Sequence, residues 1–326
     1  MKFRLRLVIV LQFILLQSSF SCDICGCFMG VSPGDRRSFV GTYYRFRSFS
    51  GTNVSGSEWF PDGSLKTTHG DHGSALSSGN QYELYRAVEL RARYFIHQRI
   101  ELNVVLPYLM NTEFSDGVSD KITGAGDMTI MAGWQMLDEK KTGAFNHRLL
   151  LGAGAKLATG DNNQQEEGVR YPFLVQTGTG SNDALLYLNY QLGYKNWGLS
   201  LTPVYKMNGT NRFNEQVGNS KTIFGSVFYK WPVTDELTIM PSIHLYAEHT
   251  KGLRNNDAWV KGTAMQSALL GPGFDVYWKN LGFTCSAQGT VYEKDNGSGL
   301  KSYTRLITGV TWYFNQQNFI ISPKKR

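Results

Sequence analysis

From residue 86 to residue 162 the chain alternates apolar and polar positions in runs of about ten residues, divided by polar gaps. In RAVELRARYFIHQ, Val88, Leu90, Ala92, Tyr94 and Ile96 fall on one side and Glu89, Arg91 and Arg93 on the other. In IELNVVLPYLMN, Ile100, Leu102, Val104, Leu106 and Tyr108 oppose Glu101, Asn103 and Asn111. In HRLLLGAGAKLATGDN, Leu149, Leu151, Ala153, Ala155 and Leu157 oppose Arg148 and Lys156. A period of two is that of a β-strand with one apolar and one polar face.

The pattern continues to the end of the chain and predicts roughly twelve strands, an even number. The first lies near residues 39–49, with Val40, Tyr44 and Phe46 against Arg45 and Arg47. Strands two and three flank His97, Gln98 and Arg99. Residues 114–123 separate strands three and four, and residues 138–146 separate four and five. The others fall at 183–195, 199–207, 222–231, 237–248, 264–278, 281–293 and 303–314. A soluble sandwich alternates in the same way, with its polar face in water. Two features favour a membrane barrel with an apolar outside and a polar lumen. Odd-numbered connections, such as 50–80 and 161–180, are longer than even-numbered ones. Trp134, Trp197, Trp231, Trp278 and Trp312 all fall at the short-turn ends, as indole at a membrane–water interface would, while Trp59 and Trp259 fall in long loops.

Mean hydropathy is −0.29. No segment beyond the N-terminus approaches the roughly 18 apolar residues of a membrane helix, but a barrel strand shows only half its residues to lipid and escapes such a scan. The 35 glycines and 13% aromatic content suit short strands and turns. Residues 1–21 have the form of a signal peptide: Lys2, Arg4 and Arg6, an apolar stretch over 7–16, then Ser19 and Ser21 before Cys22. Removing those three basic residues from a formal charge of +7 leaves +4, too little for a nucleic-acid footprint. The expected layout is a periplasmic lead over 22–35, one barrel over 36–314 and a basic periplasmic tail over 315–326. Both termini are periplasmic and the barrel lies in the outer membrane, its partners being outer-membrane lipid and a small solute.

Three short motifs carry a resemblance. GAGDMTIMAGWQ looks like the Gly-x-Gly-Asp strand start of the phenol-degradation MetA-pathway family of outer-membrane channels. IELNVVLPY resembles that family's strand ending in Leu-Pro-Tyr. GAKLATGDN is similar to its Lys-x-Pro-Thr-Gly strand exit, with Ala158 where Pro is usual. The resemblance implies transport of small, including aromatic, compounds. The last strand, RLITGVTWYF, resembles the C-terminal signal read by barrel-insertion machinery, a further expected partner, although the chain continues past Phe314.

If the alternation holds, Arg45, Arg47, Glu89, Arg91, Arg93, Glu101, Asp127, Lys156, His244, Glu248 and Arg305 point into the lumen. They form either an arginine-rich constriction that selects solutes or cross-strand ion pairs that fill a narrow barrel. Asp127 has a local alternative, bonding turn amides at its Gly-Asp strand start. Cys22, Cys25 and Cys27 in CDICGC admit three readings: a disulfide with one thiol left over, a copper or zinc site, or a lipidated Cys22. Cys285 shares a face with Phe283 and Val291 and should meet lipid. His69 and His72 with Asp71 offer a loop metal site or a solvated loop. Ser242 and His244 form a Ser-x-His on the predicted lumen face, where a lipid substrate does not arrive. No nucleophile-elbow, Walker or zinc-protease motif is present, so no catalysis is expected. The expected function is a channel for small polar, anionic or aromatic solutes. The alternative is a non-conducting barrel that binds a metal or partner through CDICGC or its outer loops.

Overall fold

The computed structural model describes residues 37–52, 80–115, 118–139, 145–294 and 300–314. Among these residues there is no helix. Twelve antiparallel strands follow one another in sequence around a closed barrel. They are β1 (Ser38–Thr52), β2 (Asn80–His97), β3 (Ile100–Ser115), β4 (Val118–Ala125 and Thr129–Glu139) and β5 (Asn146–Lys156). Then come β6 (Asp183–Tyr194), β7 (Trp197–Met207), β8 (Ser220–Tyr229) and β9 (Leu237–Thr250). The last are β10 (Met265–Trp278), β11 (Leu281–Glu293) and β12 (Leu300–Phe314). β1 pairs with β2 on one side and β12 on the other, with Ser38 opposite Phe314, so no sheet edge is left in the main wall.

The alternation sorts as the sequence predicts. Outward residues such as Leu90, Leu106, Ile130, Leu151, Leu186, Ile243 and Val310 are exposed, although large and apolar. Their inward neighbours, including Glu89, Asn189 and Thr311, are buried. An exposed apolar band around a closed sheet is what lipid requires, because every backbone polar group in the wall is already paired. Trp134, Trp197, Trp231, Trp278 and Trp312 are all about half exposed and ring the short-turn end. Cys285 lies half-buried on the outward parity.

Strands three and four depart from expectation. Residues 114–123 are not a loop, for β3 runs to Ser115 and the upper part of β4 pairs with it from Val118 to Ala125. β4 is then broken at residues 126–128, where Gly126 N donates to Pro107 O at 2.8 Å. Proline has no N–H to offer a ladder, and the break falls beside it.

The long connection 157–182 is an ordered insert. Gln176 holds it in a loop, accepting from Gln164 N at 3.0 Å and donating to Tyr171 O at 2.9 Å. Asn111 of β3 donates to Val175 O at 3.0 Å, and residues 174–177 are all buried. Gly178 passes against the Gly160 backbone so closely that a Cβ has no room. At the same end Glu215–Val217, Leu253–Asn255 and Ala258–Trp259 form a small sheet over the barrel. Arg170 ties the insert to it through two hydrogen bonds to Glu215, at 2.8 and 2.9 Å.

Candidate functional site in the barrel lumen

The lumen is not uniformly polar, which corrects the simplest form of the sequence reading. Met131, Leu150, Leu185, Tyr187 and Val204 form one inward apolar cluster. Met240, Tyr277 and Tyr313, with Phe39 and Phe228 against them, form another. Twelve strands enclose a wider interior than the eight that side chains alone fill, and apolar as well as polar side chains line it. Tyr187 lies flat over Gly152 and Gly133, two cross-strand neighbours whose missing side chains leave its berth.

Between these clusters lie three charged groups. The first is on the β1–β2 wall. Register sets Phe39 opposite Arg93, Gly41 opposite Arg91, Tyr43 opposite Glu89 and Arg45 opposite Ala87. Glu89 accepts from Arg45 Nε at 3.0 Å and from Arg91 Nε at 2.8 Å. The Arg91 guanidinium sits 4.4 Å from the Tyr43 ring, and that of Arg93 sits 4.8 Å from Phe39. Glu101 on β3 accepts from Asn103 at 3.0 Å. Arg45 and Arg91 thus meet one carboxylate, Arg93 meets none among the described residues, and three cations face Glu89 and Glu101 on this wall, an excess of positive charge.

The second group joins the two ends of the chain. Arg47 and Arg305 are directly opposite on β1 and β12, and both guanidiniums lie over the Tyr246 ring. Glu248 forms an ion pair with Arg47 and accepts from Tyr246 at 2.5 Å and Ser267 at 3.0 Å. Arg47 is 0% exposed. A cation so placed persists only with a carboxylate and several acceptors around it, and Ser302 and Ser267 are two of them.

The third group is a chain of four charges running from β4 to β7. Lys156 meets Asp127 at 2.7 Å and Asp183 at 2.9 Å, and Asp183 meets Lys206 at 2.9 Å. Its carboxylates also hold the connecting segments. Asp127 accepts from Thr179 N and Gly160 N, both at 2.9 Å. Asp183 accepts from Ser181 Oγ at 2.9 Å and Gly209 N at 3.0 Å. The two readings of Asp127 therefore meet in one residue: it faces inward and it bonds loop amides, those of the insert rather than of its own turn.

All eleven residues predicted to face the lumen lie on inward positions. They divide among these groups except His244, whose Nε2 is 2.9 Å from Ser242 Oγ. That pair lies inside the barrel, and no carboxylate bonds to His244 among the described residues. Sequence reasoning missed Asp183, Lys206 and Thr179. Lys206 was within reach, because Ser200, Thr202 and Val204 already set its parity. Among the described residues no cluster of His, Cys, Asp and Glu is arranged to hold a metal. Cys22, Cys25, Cys27, His69, His72 and the signal-peptide segment lie outside the described residues.

No family model matches the chain, and no curated protein matches it. Among solved structures it is similar to an outer membrane channel from Pseudomonas putida F1, at 14% identity and a TM-score of 0.58, over 87% of this chain and 100% of that one. It is also similar to the transport unit of the autotransporter AIDA-I from Escherichia coli, at 13% identity and a TM-score of 0.45, over 88% and 94%. The beta domain of the Bordetella autotransporter BrkA aligns at 9% identity and a TM-score of 0.43, over 85% and 100%. At such identity the likeness to the Pseudomonas channel is one of fold, and with the closed sheet it makes this chain a twelve-stranded transmembrane β-barrel of the outer-membrane type.

Proposed function

We propose that the protein is an outer-membrane channel for small polar, anionic or aromatic solutes, with both termini in the periplasm and selection by lumen charge. The observation that carries this reading is the β1–β2 wall, where Arg45 and Arg91 share Glu89 and Arg93 follows on the same inner face without an ion pair among the described residues. Rings and rows of charge on a pore wall set which ions enter, since the low-dielectric surroundings focus their field. Aromatic faces beside those guanidiniums give a flat or apolar solute a surface to pass along.

Planar-bilayer recording tests this. The refolded chain should give step-like currents whose reversal potential in a salt gradient favours anions, and Arg91→Ala should move that potential toward zero. A conducting barrel with no anion preference sinks the charge-selection part. The inward apolar clusters and paired charges favour a second reading, a non-conducting barrel that binds a metal or partner through CDICGC or its outer loops. A silent barrel that takes up copper or zinc, and loses it on Cys25→Ser, marks that case.

A further inference from the structure

Arg37 and Arg93 sit at the short-turn end of the lumen, inside the point where β1 begins and β2 and β12 end. Their guanidiniums are stacked on rings rather than paired with acids. Arg37 lies 4.7 Å from the Tyr313 ring; Arg93 lies 4.8 Å from Phe39 and 5.5 Å from Phe95. Phe39 and Tyr313 meet edge to face at 5.9 Å, so the two rings in contact lie between the two cations. Arg93 donates to Arg37 O at 3.3 Å and Arg37 to Lys279 O at 3.4 Å, both long bonds to neutral carbonyls. The Nε of each is buried and has no hydrogen-bond partner. Among the described residues neither guanidinium forms an ion pair. Arg93 is 4% exposed.

A buried guanidinium without a counter-charge is costly to keep. Elsewhere in this lumen the cost is met: Glu89 serves Arg45 and Arg91, and Glu248 serves Arg47. At Arg93 it is not met from within the described wall, and Arg37 beside it is half-buried. With their faces covered by rings, these guanidiniums have their N–H edges left, and that edge is the fork that fits a carboxylate through two parallel bonds. The flanks of the fork are aromatic, backed by Met240, Tyr277 and Phe228. A flat apolar body bearing the carboxylate is stabilised there, whereas a hydrated body loses its water without return.

We propose that Arg37 and Arg93, with Phe39, Phe95 and Tyr313, form a binding site for a small aromatic monocarboxylate at the short-turn end of the lumen. The site deepens the channel reading and depends on it for access. Benzoate is the probe, with acetate and benzamide lacking the ring and the charge in turn. Titration calorimetry on the full chain, folded in detergent micelles, should give saturable one-to-one binding of benzoate. Acetate and benzamide should bind at least about tenfold more weakly, as should benzoate to Arg93→Gln, the loss of a charge-assisted pair. Arg93→Lys keeps the charge and loses the fork, so it should also weaken benzoate and serves if Arg93→Gln does not fold by heat-modifiable gel migration. Arg254→Gln, in the small sheet at the other end of the barrel, should bind as the parent does. No saturable heat with benzoate, acetate as tight as benzoate, or parental affinity in either folded Arg93 variant overturns the site. A barrel that binds benzoate and carries no current keeps the site and loses the channel; one that conducts without binding does the reverse.

Discussion

Asp183 is the hinge of the four-charge chain, and its replacement tests what that chain does. Its side chain is 1% exposed and meets Lys156 and Lys206, each at 2.9 Å. In Asp183→Asn the amide oxygen still accepts from Ser181 and Gly209, so the shape of the site is kept. Lys156 keeps Asp127 at 2.7 Å. Lys206, 2% exposed, loses the carboxylate it meets. Removing one partner of a buried pair costs about 3–5 kcal/mol, and the retained hydrogen bonds place this case at about 3 kcal/mol. Part of that cost falls on the 157–182 insert, which Asp183 and Asp127 hold through Ser181, Thr179 and Gly160. Denaturant unfolding of the barrel in lipid vesicles reads the total. Trypsin cleavage after Arg170 reads local release of the insert, because local opening is governed by its own smaller free energy. The Asp183→Asn and Lys206→Met pair, combined, should show coupling of about 2 kcal/mol. Stability within about 0.5 kcal/mol of the parent, the range of an ordinary surface change, together with unchanged trypsin resistance, refutes this account.

Two further changes test the wall. Gly152→Ala sets a Cβ into the Tyr187 ring, and such overpacking should cost about 1–3 kcal/mol in the same unfolding assay; parental stability means that Tyr187 does not occupy its berth over the glycines. Ala153→Arg places a charge on the outward face at mid-strand, opposite Ala132 and Leu186, and should cost about 2–4 kcal/mol in vesicles. An arginine accepted there at no cost means that this face does not meet lipid.

The faces were legible in the sequence wherever lipid imposes them. Along β2, Glu89, Arg91 and Arg93 could only face away from the Val88–Leu90 side. Three things were not legible, for separate reasons. The upper part of β4 pairs with β3 where Ser119, Asp120, Lys121 and Thr123 leave Val118 and Ile122 as its large apolar residues, too few to mark a strand. On β6 apolar residues face both ways: Leu185 and Tyr187 enter the lumen while Leu186 faces lipid, so the pattern is silent there. Most of all, the insert's position follows from contacts far apart in sequence, such as Asn111 with Val175 and Gly160 with Gly178. A loop's polar composition says that it can be solvated, not that it is buried.

The separation of the charged groups has a consequence for function. Asp127, Lys156, Asp183 and Lys206 are two acids and two bases in one short row, and their fields cancel within a few ångströms. Arg45, Arg91 and Arg93 against Glu89 and Glu101 do not cancel, and that wall sets the sign of the potential that a solute meets. The two groups should therefore come apart under mutation. Arg91→Ala should lower anion preference in bilayer recordings and leave trypsin resistance at Arg170 as it was. Asp183→Asn with Lys206→Met, which keeps the row neutral, should loosen the insert and leave the reversal potential within the spread of the parent. If that charge-balanced pair shifts selectivity as far as Arg91→Ala does, then the insert and the β1–β2 wall act on the solute at one place, and the division between a structural row and a selecting wall is wrong.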